Sequence, residues 1–186
     1  KCLFDNIFNV ILIKSNVVDS IISNNMIKAV TFTGSEYAGS SVAMLSGREI
    51  KKTLLELGGS DPFIVLEDAN LKDCIPKAIK SRFLNAGQSC IAAKRFIVHK
   101  KIYDIFIKDL KIEIEKLKVG NPLDVKTQIG PLAKEQFVKD IDIQVKKSIH
   151  QGAKLIYGGK IMENHGNYYK PTMLINITEN MEVFKK

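Results

Sequence analysis

The chain has 186 residues, of which 45% are hydrophobic and 26% are charged, a composition typical of a soluble globular protein. Its length suffices for one sizeable core or for parts of two domains. The formal net charge of +8 does not indicate a nucleic-acid partner, because the lysines alternate with acidic residues and only three arginines occur. No apolar run reaches the roughly 18 residues of a membrane span, so no membrane partner is expected either.

In the first third of the chain, strands and helices are predicted to alternate. An apolar run at 7–13 suits a buried strand, and 17–23 suits a short helix. A strand at 28–33 is followed by a helix from about Ser35 to Ser46, for which Gly47 is the predicted C-cap. A third strand at 52–57 ends at Gly58-Gly59. This β-α-β-α-β order predicts an α/β fold with a mostly parallel sheet and helices on both faces.

After Gly59 the pattern restarts. Strands are predicted at 62–66, 95–98 and 154–157, and helices at 71–84 and 133–151. Between them, apolar residues at helical spacing predict an amphipathic helix: Tyr103, Ile107, Leu110, Ile114 and Leu117. We therefore place a domain boundary at Gly58-Gly59, giving domains 1–58 and 59–186. This boundary would leave Glu56 and Cys90 on opposite sides of a crevice.

The first residues, Lys1 to Asp5, include no initiator Met and no signal peptide, and we expect an interior segment of a longer protein. The cysteines, Cys2, Cys74 and Cys90, share no metal-ligand spacing, and their odd number gives no disulfide framework. A reducing, cytoplasmic location is therefore expected. No metal site is predicted for the histidines either, which are far apart in the sequence: His99, His150 and His165.

A glycine-containing segment at 32–39 resembles a strand that runs into a phosphate-binding helix N-terminus. Gly34 and Gly39 would let the backbone approach a pyrophosphate, and Ser35 would cap the helix. The segment is neither a Walker A loop nor a G-x-G-x-x-G fingerprint. A Ser-capped helix without a ligand is the alternative interpretation.

Cys90 is the predicted nucleophile. Small and polar neighbours suggest a tight turn that opens a helix, and a helix N-terminus lowers the pKa of a thiol. The Cys90 N–H could also bind a developing oxyanion. The alternative is a small buried hydrophobe, which is the role we predict for Cys74 in its helical pattern.

Glu56 lies in an apolar strand, where carboxylates are disfavoured. Burial near the boundary would raise its pKa and suit it to act as a general base. The alternative is a residue at a strand end that reaches solvent.

Together these segments closely resemble the aldehyde dehydrogenase superfamily over essentially the whole chain. The strings are Phe-Thr-Gly-Ser-x-x-x-Gly at 32–39, Leu-Glu-Leu-Gly-Gly at 55–59 and Asn-x-Gly-Gln-x-Cys at 85–90. Further similar strings are Asp-Ala-Asn-Leu at 68–71, Val-Gly-Asn-Pro at 119–122 and Gly-Pro at 130–131. The resemblance implies a Rossmann-type cofactor domain, of which 1–58 would be the C-terminal part. Residues 59–186 would be the first part of an α/β catalytic domain.

The resemblance also implies the chemistry. Cys90 would attack an aldehyde to give a thiohemiacetal, hydride transfer to NAD or NADP would give a thioester, and Glu56 would activate the hydrolytic water. Gly34, Ser35 and Gly39 would line the cofactor diphosphate region. Thr33 and Leu57 would lie near the nicotinamide, and Asn85 would support the active-site loop. The oxyanion-hole Asn and the ribose-binding residues of the family would lie upstream of Lys1, so the isolated segment is expected to be inactive.

In detail the strings are most similar to the succinate-semialdehyde dehydrogenase group. However, Leu84 occupies the position where many of those enzymes have an arginine, so a short aliphatic or hydroxy-aldehyde substrate stays open. The resemblance implies a homo-oligomer for the full-length protein. The alternative functions are a coenzyme A-acylating aldehyde dehydrogenase and a non-catalytic protein that retains the fold.

Overall fold

A computed structural model describes residues 7–163 and 166–185. Cys2 and His165, for which no metal role was predicted, lie outside the described residues. The chain divides into two compact units, Lys1–Gly58 and Gly59–Lys186. The functions predicted for these two parts stay predictions.

The first unit alternates helices with parallel strands. Its elements are α1 (Val18–Ser23), β1 (Ala29–Thr33), α2 (Glu36–Arg48) and β2 (Lys52–Glu56). The two strands pair in parallel, with Ala29 opposite Lys52 at one end and Thr33 opposite Glu56 at the other. Parallel strands joined by a helix are the unit of an α/β fold. The predicted helix at 17–23 and the strands at 28–33 and 52–57 are thereby confirmed.

Two predictions for this unit are wrong. The run at 7–13 forms no strand, and its side chains are exposed, with Leu12 97% accessible. An apolar run becomes a strand only where a neighbouring strand supplies the hydrogen-bonding ladder, and the described ladders of this unit join β1 to β2 alone. Gly47 does not cap α2 either, because the helix continues through it. Ile50 takes the left-handed conformation instead, with φ of 54°, and its N–H donates to the Gly47 carbonyl at 3.1 Å.

The second unit contains two pairs of strands and four helices among its described residues. The strands β3 and β4 pair in parallel and β5 and β6 antiparallel. The sheet neighbours β3 and β4 are separated along the chain by a helix and by the Cys90 segment. The elements in order are β3 (Asp61–Val65), α3 (Leu71–Phe83), β4 (Ala93–Val98), α4 (Tyr103–Glu115), α5 (Glu135–His150), β5 (Lys154–Tyr157), β6 (Met173–Ile175) and α6 (Glu182–Lys185).

The core of this unit forms where α3 and α4 pack against β3. Its fully buried members come from these three elements: Val65, Ile75, Ala78, Phe106, Leu110 and Ile114. The 3.6-residue period puts Phe106, Leu110 and Ile114 on one face of α4. The predicted set contained Leu110 and Ile114 but not Phe106, which is the most buried of the three. Because α3 contributes to this core and Phe96 and Val98 of β4 pack against it, both ends of the intervening segment 84–92 are anchored to the core.

A smaller cluster forms around α5, where Val138 and Val145 pack with Tyr169. The Tyr169 hydroxyl donates a hydrogen bond to Asp142 Oδ1 at 3.2 Å. The Asp142 carboxylate also accepts from Lys146 Nζ at 2.6 Å, so this nearly buried acid has partners on two sides. The predicted helices and strands of the second unit are confirmed to within a few residues, while β6 and α6 were not predicted.

Candidate active site

The first group of site residues lies at the carboxyl ends of β1 and β2. Thr33 is the register partner of Glu56, so the two strands end side by side. The Gly34 N–H then donates to the Glu56 carbonyl oxygen at 3.0 Å. Ligands of open α/β sheets bind beyond the carboxyl ends of the strands. The structure thus brings Thr33, Gly34, Glu56 and Leu57 together at one edge.

The N-terminus of α2 lies at the same edge. Ser35 is the N-cap, and its Oγ accepts a hydrogen bond from the Ala38 N–H at 3.3 Å. The N–H groups of Glu36 and Tyr37 belong to the first helical turn and therefore have no acceptor within the helix. These N–H groups, together with the positive end of a 13-residue helix, fit an anionic group such as the diphosphate of a dinucleotide.

Gly39 holds α2 close to the segment that follows β2. A β-carbon at Gly39 would overlap Cδ2 of Leu57 and lie 3.2 Å from its Cδ1. The buried glycine therefore lets Leu57 pack directly on the helix. This contact links two of the predicted cofactor residues and fixes where the chain leaves the edge of the sheet.

The side chain of Glu56 is exposed. We expected burial near the domain boundary to suit this carboxylate to its role, and the structure does not show that burial. Its position is the strand end that the alternative interpretation described, beside Thr33 and Gly34. A base at this position would be in reach of water, which is what an acceptor of a proton from water requires.

Cys90 lies in a turn of the second unit and is exposed. The Ala92 N–H donates to the Ser89 carbonyl at 3.2 Å, which closes the turn around Cys90 and Ile91. The next element is β4, so the prediction that Cys90 opens a helix is wrong. Small residues occur equally at turns before strands and before helices, and the local pattern did not separate the two cases.

Before this turn, the chain winds in a left-handed direction. Asn85 and Ala86 have φ of 53° and 56°, and Gly87 has φ of 77°. An alanine in this conformation is about 1–3 kcal/mol less stable than in an ordinary one. The cost is much smaller for glycine or asparagine. Three such residues in succession reverse the chain sharply after α3. Leu84, at the start of this turn, is 59% exposed.

Two cations that sequence analysis did not single out lie near Cys90. Lys94 Nζ donates a hydrogen bond to the Gly59 carbonyl. The pKa of Lys94 is lowered, first by desolvation and then by the charge of Arg82, whereas Asp61 and Cys90 act in the opposite direction. A Cys90 thiolate would therefore stabilise the Lys94 cation. No local motif distinguishes this lysine from the many others.

Arg82 is the penultimate residue of α3. Desolvation lowers the pKa of its guanidinium, and its buried Nη1 has no hydrogen-bond partner among the described residues. A β-carbon at Gly87 would lie 2.9 Å from this Nη1 and 3.0 Å from the Arg82 carbonyl oxygen, so the glycine leaves room for the arginine. A guanidinium charge this close to Gly87 raises the positive potential of the loop before Cys90.

Within the described part of the chain, His, Cys, Asp and Glu side chains form no group of three that could hold a metal ion. None of the helices in 7–163 and 166–185 combines the length and the apolar character of a membrane span.

Comparisons with known proteins agree on one family. A sequence model of the aldehyde dehydrogenase family matches residues 3–186. A succinate-semialdehyde dehydrogenase (NADP+) of Mycobacterium avium (strain 104) is 46% identical over 177 residues, which cover 95% of this chain. The chain spans 38% of the length of that relative.

Two solved structures match the fold closely. The succinic semialdehyde dehydrogenase from Streptococcus pyogenes in complex with NADP+ aligns with a TM-score of 0.88 and 37% identity, covering 92% of this chain and 38% of that chain. Lactaldehyde dehydrogenase from Escherichia coli aligns with a TM-score of 0.86 and 33% identity, covering 90% of this chain and 35% of that chain.

Proposed function

The chain belongs to the aldehyde dehydrogenase family, and from that premise we propose that the protein containing it oxidises an aldehyde to a carboxylic acid with NAD(P)+. The observation that supports the proposal most directly is Cys90, an exposed thiol in a turn beside a partly desolvated lysine. An accessible thiol next to positive charge is the usual environment of a nucleophilic cysteine.

In the proposed reaction, the Cys90 thiolate attacks the carbonyl carbon of the aldehyde, and a bond forms between Sγ and that carbon. The developing alkoxide lies next to the turn, where the Cys90 N–H is one available donor. Bound NAD(P)+ supplies the hydride acceptor that brings the aldehyde carbon to the oxidation level of an acid. Cys90 then holds the acyl group until water releases it.

Glu56 is the proposed base for that last step. Its carboxylate would take a proton from a water molecule while the water oxygen adds to the acyl carbon. The bond between that carbon and Sγ then breaks, which releases the acid, and the proton passes to the Cys90 thiol. The exposure of Glu56 at the end of β2 supports this role, since the carboxylate must contact water. Glu56 and Cys90 belong to different units, so this step requires both side chains to reach the same substrate in the complete enzyme.

The first unit would hold the cofactor. The Glu36 and Tyr37 N–H groups at the start of α2 would bind the diphosphate, with Gly34, Ser35 and Gly39 allowing its close approach. Thr33 and Leu57, at the edge where the strands end, would lie near the nicotinamide. The mycobacterial and streptococcal relatives are named for NADP+, which supports NADP as the cofactor.

We propose succinate semialdehyde as the substrate, because the curated relatives with 44–46% identity carry that name. A second substrate class has one specific observation in its favour. Leu84 is an exposed aliphatic residue at the start of the left-handed turn, and it offers no charge to a substrate carboxylate. A short hydroxy-aldehyde, which carries no carboxylate, would not need a charged partner at this position.

A cytoplasmic, homo-oligomeric enzyme would accord with the reduced cysteines and the family.

The test uses the full-length protein that contains this chain. Reduced nicotinamide is followed by its absorbance with succinate semialdehyde and lactaldehyde, each with NAD+ and NADP+. Turnover with one of them is expected, and Cys90→Ala is expected to abolish it while the matched variant Cys74→Ala retains it. Absence of turnover with these and other short aldehydes, in a folded protein, would refute the proposed function.

A second experiment tests Glu56. In Glu56→Gln, a rapid burst of reduced cofactor followed by a steady state about 10²–10⁴-fold slower is expected, because hydrolysis alone loses its base. The control is Glu49→Gln, which removes another carboxylate of the same unit, paired with Arg48. Products are also analysed with coenzyme A, since an acyl-coenzyme A product would identify an acylating enzyme instead.

A further inference from the structure

The left-handed turn before Cys90 is closed by hydrogen bonds that all involve Gln88. The Gln88 N–H and its side-chain Nε2 both donate to the Asn85 carbonyl, at 3.1 and 3.2 Å. In return, Asn85 Nδ2 donates to the Gln88 carbonyl at 3.0 Å. The two amide side chains thus bridge the ends of the turn reciprocally. Without these bonds, nothing local would favour the left-handed conformation of Ala86 over an ordinary one.

Gln88 also links the turn to a distant segment. Its side-chain Oε1 accepts a hydrogen bond from the Ala133 N–H at 2.9 Å, across 45 residues of chain. Ala133 lies two residues before Glu135, the first residue of α5, and α5 packs in a core cluster of its own. The Gln88 side chain therefore donates from Nε2 within the turn and accepts at Oε1 from the segment before α5. A glutamine side chain can satisfy both the Asn85 carbonyl and the Ala133 N–H because it carries a donor and an acceptor at its end.

We propose that Gln88 is a positioning residue for the nucleophile: its carboxamide clamps the left-handed turn to the segment before α5 and so fixes where Cys90 presents its thiol. The inference rests on the proposed function of Cys90. Gln88 is two residues before Cys90, so a rotation of the turn is transmitted to Sγ through only a few backbone bonds. A nucleophile displaced by about 1 Å loses up to 10²-fold in rate.

The test compares Gln88→Met with Gln151→Met in the full-length protein. Gln151 is a matched control, because its Oε1 also accepts a backbone N–H, that of Glu182, at 2.8 Å. Methionine keeps the length of glutamine and removes both hydrogen-bonding groups. We expect Gln88→Met to lower kcat about 10–100-fold with KM for NAD(P)+ within about twofold of wild type. Gln151→Met is expected to leave both constants unchanged.

Hydrogen exchange measured by mass spectrometry tests the clamp without reference to turnover. In Gln88→Met, peptides that cover 84–92 and the Ala133 amide are expected to exchange about tenfold faster or more, and to be unchanged in Gln151→Met. If the wild-type enzyme oxidises no aldehyde, the proposed function fails, while this exchange measurement still decides whether Gln88 holds the turn.

The proposal is overturned if Gln88→Met keeps kcat and the exchange rates of 84–92 within twofold of the control. A rise in KM for NAD(P)+ with unchanged kcat overturns it as well. If the methionine variant does not fold, Gln88→Glu is tested in its place, because the glutamate retains an acceptor for the Ala133 N–H. Its kcat is expected to lie between those of wild type and Gln88→Met, and a value equal to that of Gln151→Glu overturns the proposal.

Discussion

Gly59 lies so close to Cys90 that a β-carbon on the glycine would overlap the carbonyl oxygen of the cysteine. The same β-carbon would lie 3.2 Å from the Cys90 carbonyl carbon. The backbone before β3 and the turn before β4 are therefore in direct contact, with no side chain between them. Lys94 Nζ also donates to the Gly59 carbonyl, which adds a polar contact at the same point.

Substituting Gly59 with alanine is expected to displace the Cys90 turn, because the obstructing atoms are backbone and cannot rotate away. We expect kcat to fall by up to about 10²-fold and stability to fall by about 1–3 kcal/mol. Gly130→Ala is the control: its nearest contact is Pro122 Cβ at 3.8 Å, an ordinary distance. Equal kinetics in the two variants, measured with the proposed substrate, would contradict the role of Gly59.

The packing of Gly39 on Leu57 predicts a strong coupling between the two positions. Alanine in a helix interior is favoured over glycine by about 1 kcal/mol, whereas overpacking costs about 1–3 kcal/mol. Gly39→Ala is therefore expected to destabilise the protein, but to stabilise it by about 1 kcal/mol in a Leu57→Ala background. Denaturant unfolding of the four proteins measures this coupling. If Gly39→Ala changed the free energy of unfolding equally in both backgrounds, the contact between positions 39 and 57 would not contribute to stability.

The two described cysteines are expected to differ in reactivity. Burial raises the pKa of the Cys74 thiol, an effect that Lys77 opposes only in part, so less of Cys74 is thiolate at neutral pH. Cys90 is exposed. Iodoacetamide at pH 7.5 should therefore label the Cys90 peptide at least about tenfold faster than the Cys74 peptide, as measured by mass spectrometry. Faster labelling of Cys74 in the folded protein would rule out this assignment.

Tyr169 is expected to limit stability at alkaline pH. Burial, followed by the nearby Asp142 charge and their hydrogen bond, raises the pKa of its phenol above the ordinary value of about 10. A raised folded pKa means that the contribution of Tyr169 is fully present below pH 10 and is lost as pH rises further. In Tyr169→Phe, the free energy of unfolding should fall by about 0.5–1.5 kcal/mol at pH 8, with a shallower decline above pH 10.

Tyr37→Phe is the control for this measurement, because the Tyr37 side chain is 86% exposed. It should leave both the stability and its alkaline decline unchanged. Thermal unfolding between pH 7 and 11 records both effects. A Tyr169→Phe variant with the wild-type pH profile would show that another group sets the alkaline limit.

Elements that depend on neighbouring residues were predictable from the sequence. The helix at 103–117 was predicted from apolar residues that repeat every three or four positions, and α4 buries two of them, Leu110 and Ile114. The Ser35 cap of α2 was predicted in the same way, since an N-cap contacts a residue only three positions away. The strings around Glu56 and Cys90 were sufficient to indicate the family.

Apart from the local error at Gly47, the elements that were predicted wrongly depended on distant partners. The run at 7–13 is apolar enough for a strand, but a strand also requires a partner that the local sequence does not specify. The turn at Cys90 was expected to open a helix, whereas the pairing of β4 with β3 extends the chain after it. The length of an apolar run and the size of side chains do not encode these pairings.

What the sequence by itself determined, then, is the order of most helices and strands and the family to which the chain belongs. What only the tertiary structure decided is the surroundings of Cys90. Gly59 and Lys94 meet across 35 residues, and Gln88 reaches Ala133 across 45. Such contacts depend on how β3, β4 and the segment before α5 pack in three dimensions. A backbone N–H has the same chemistry at every position, and only the fold selects the one that faces Gln88.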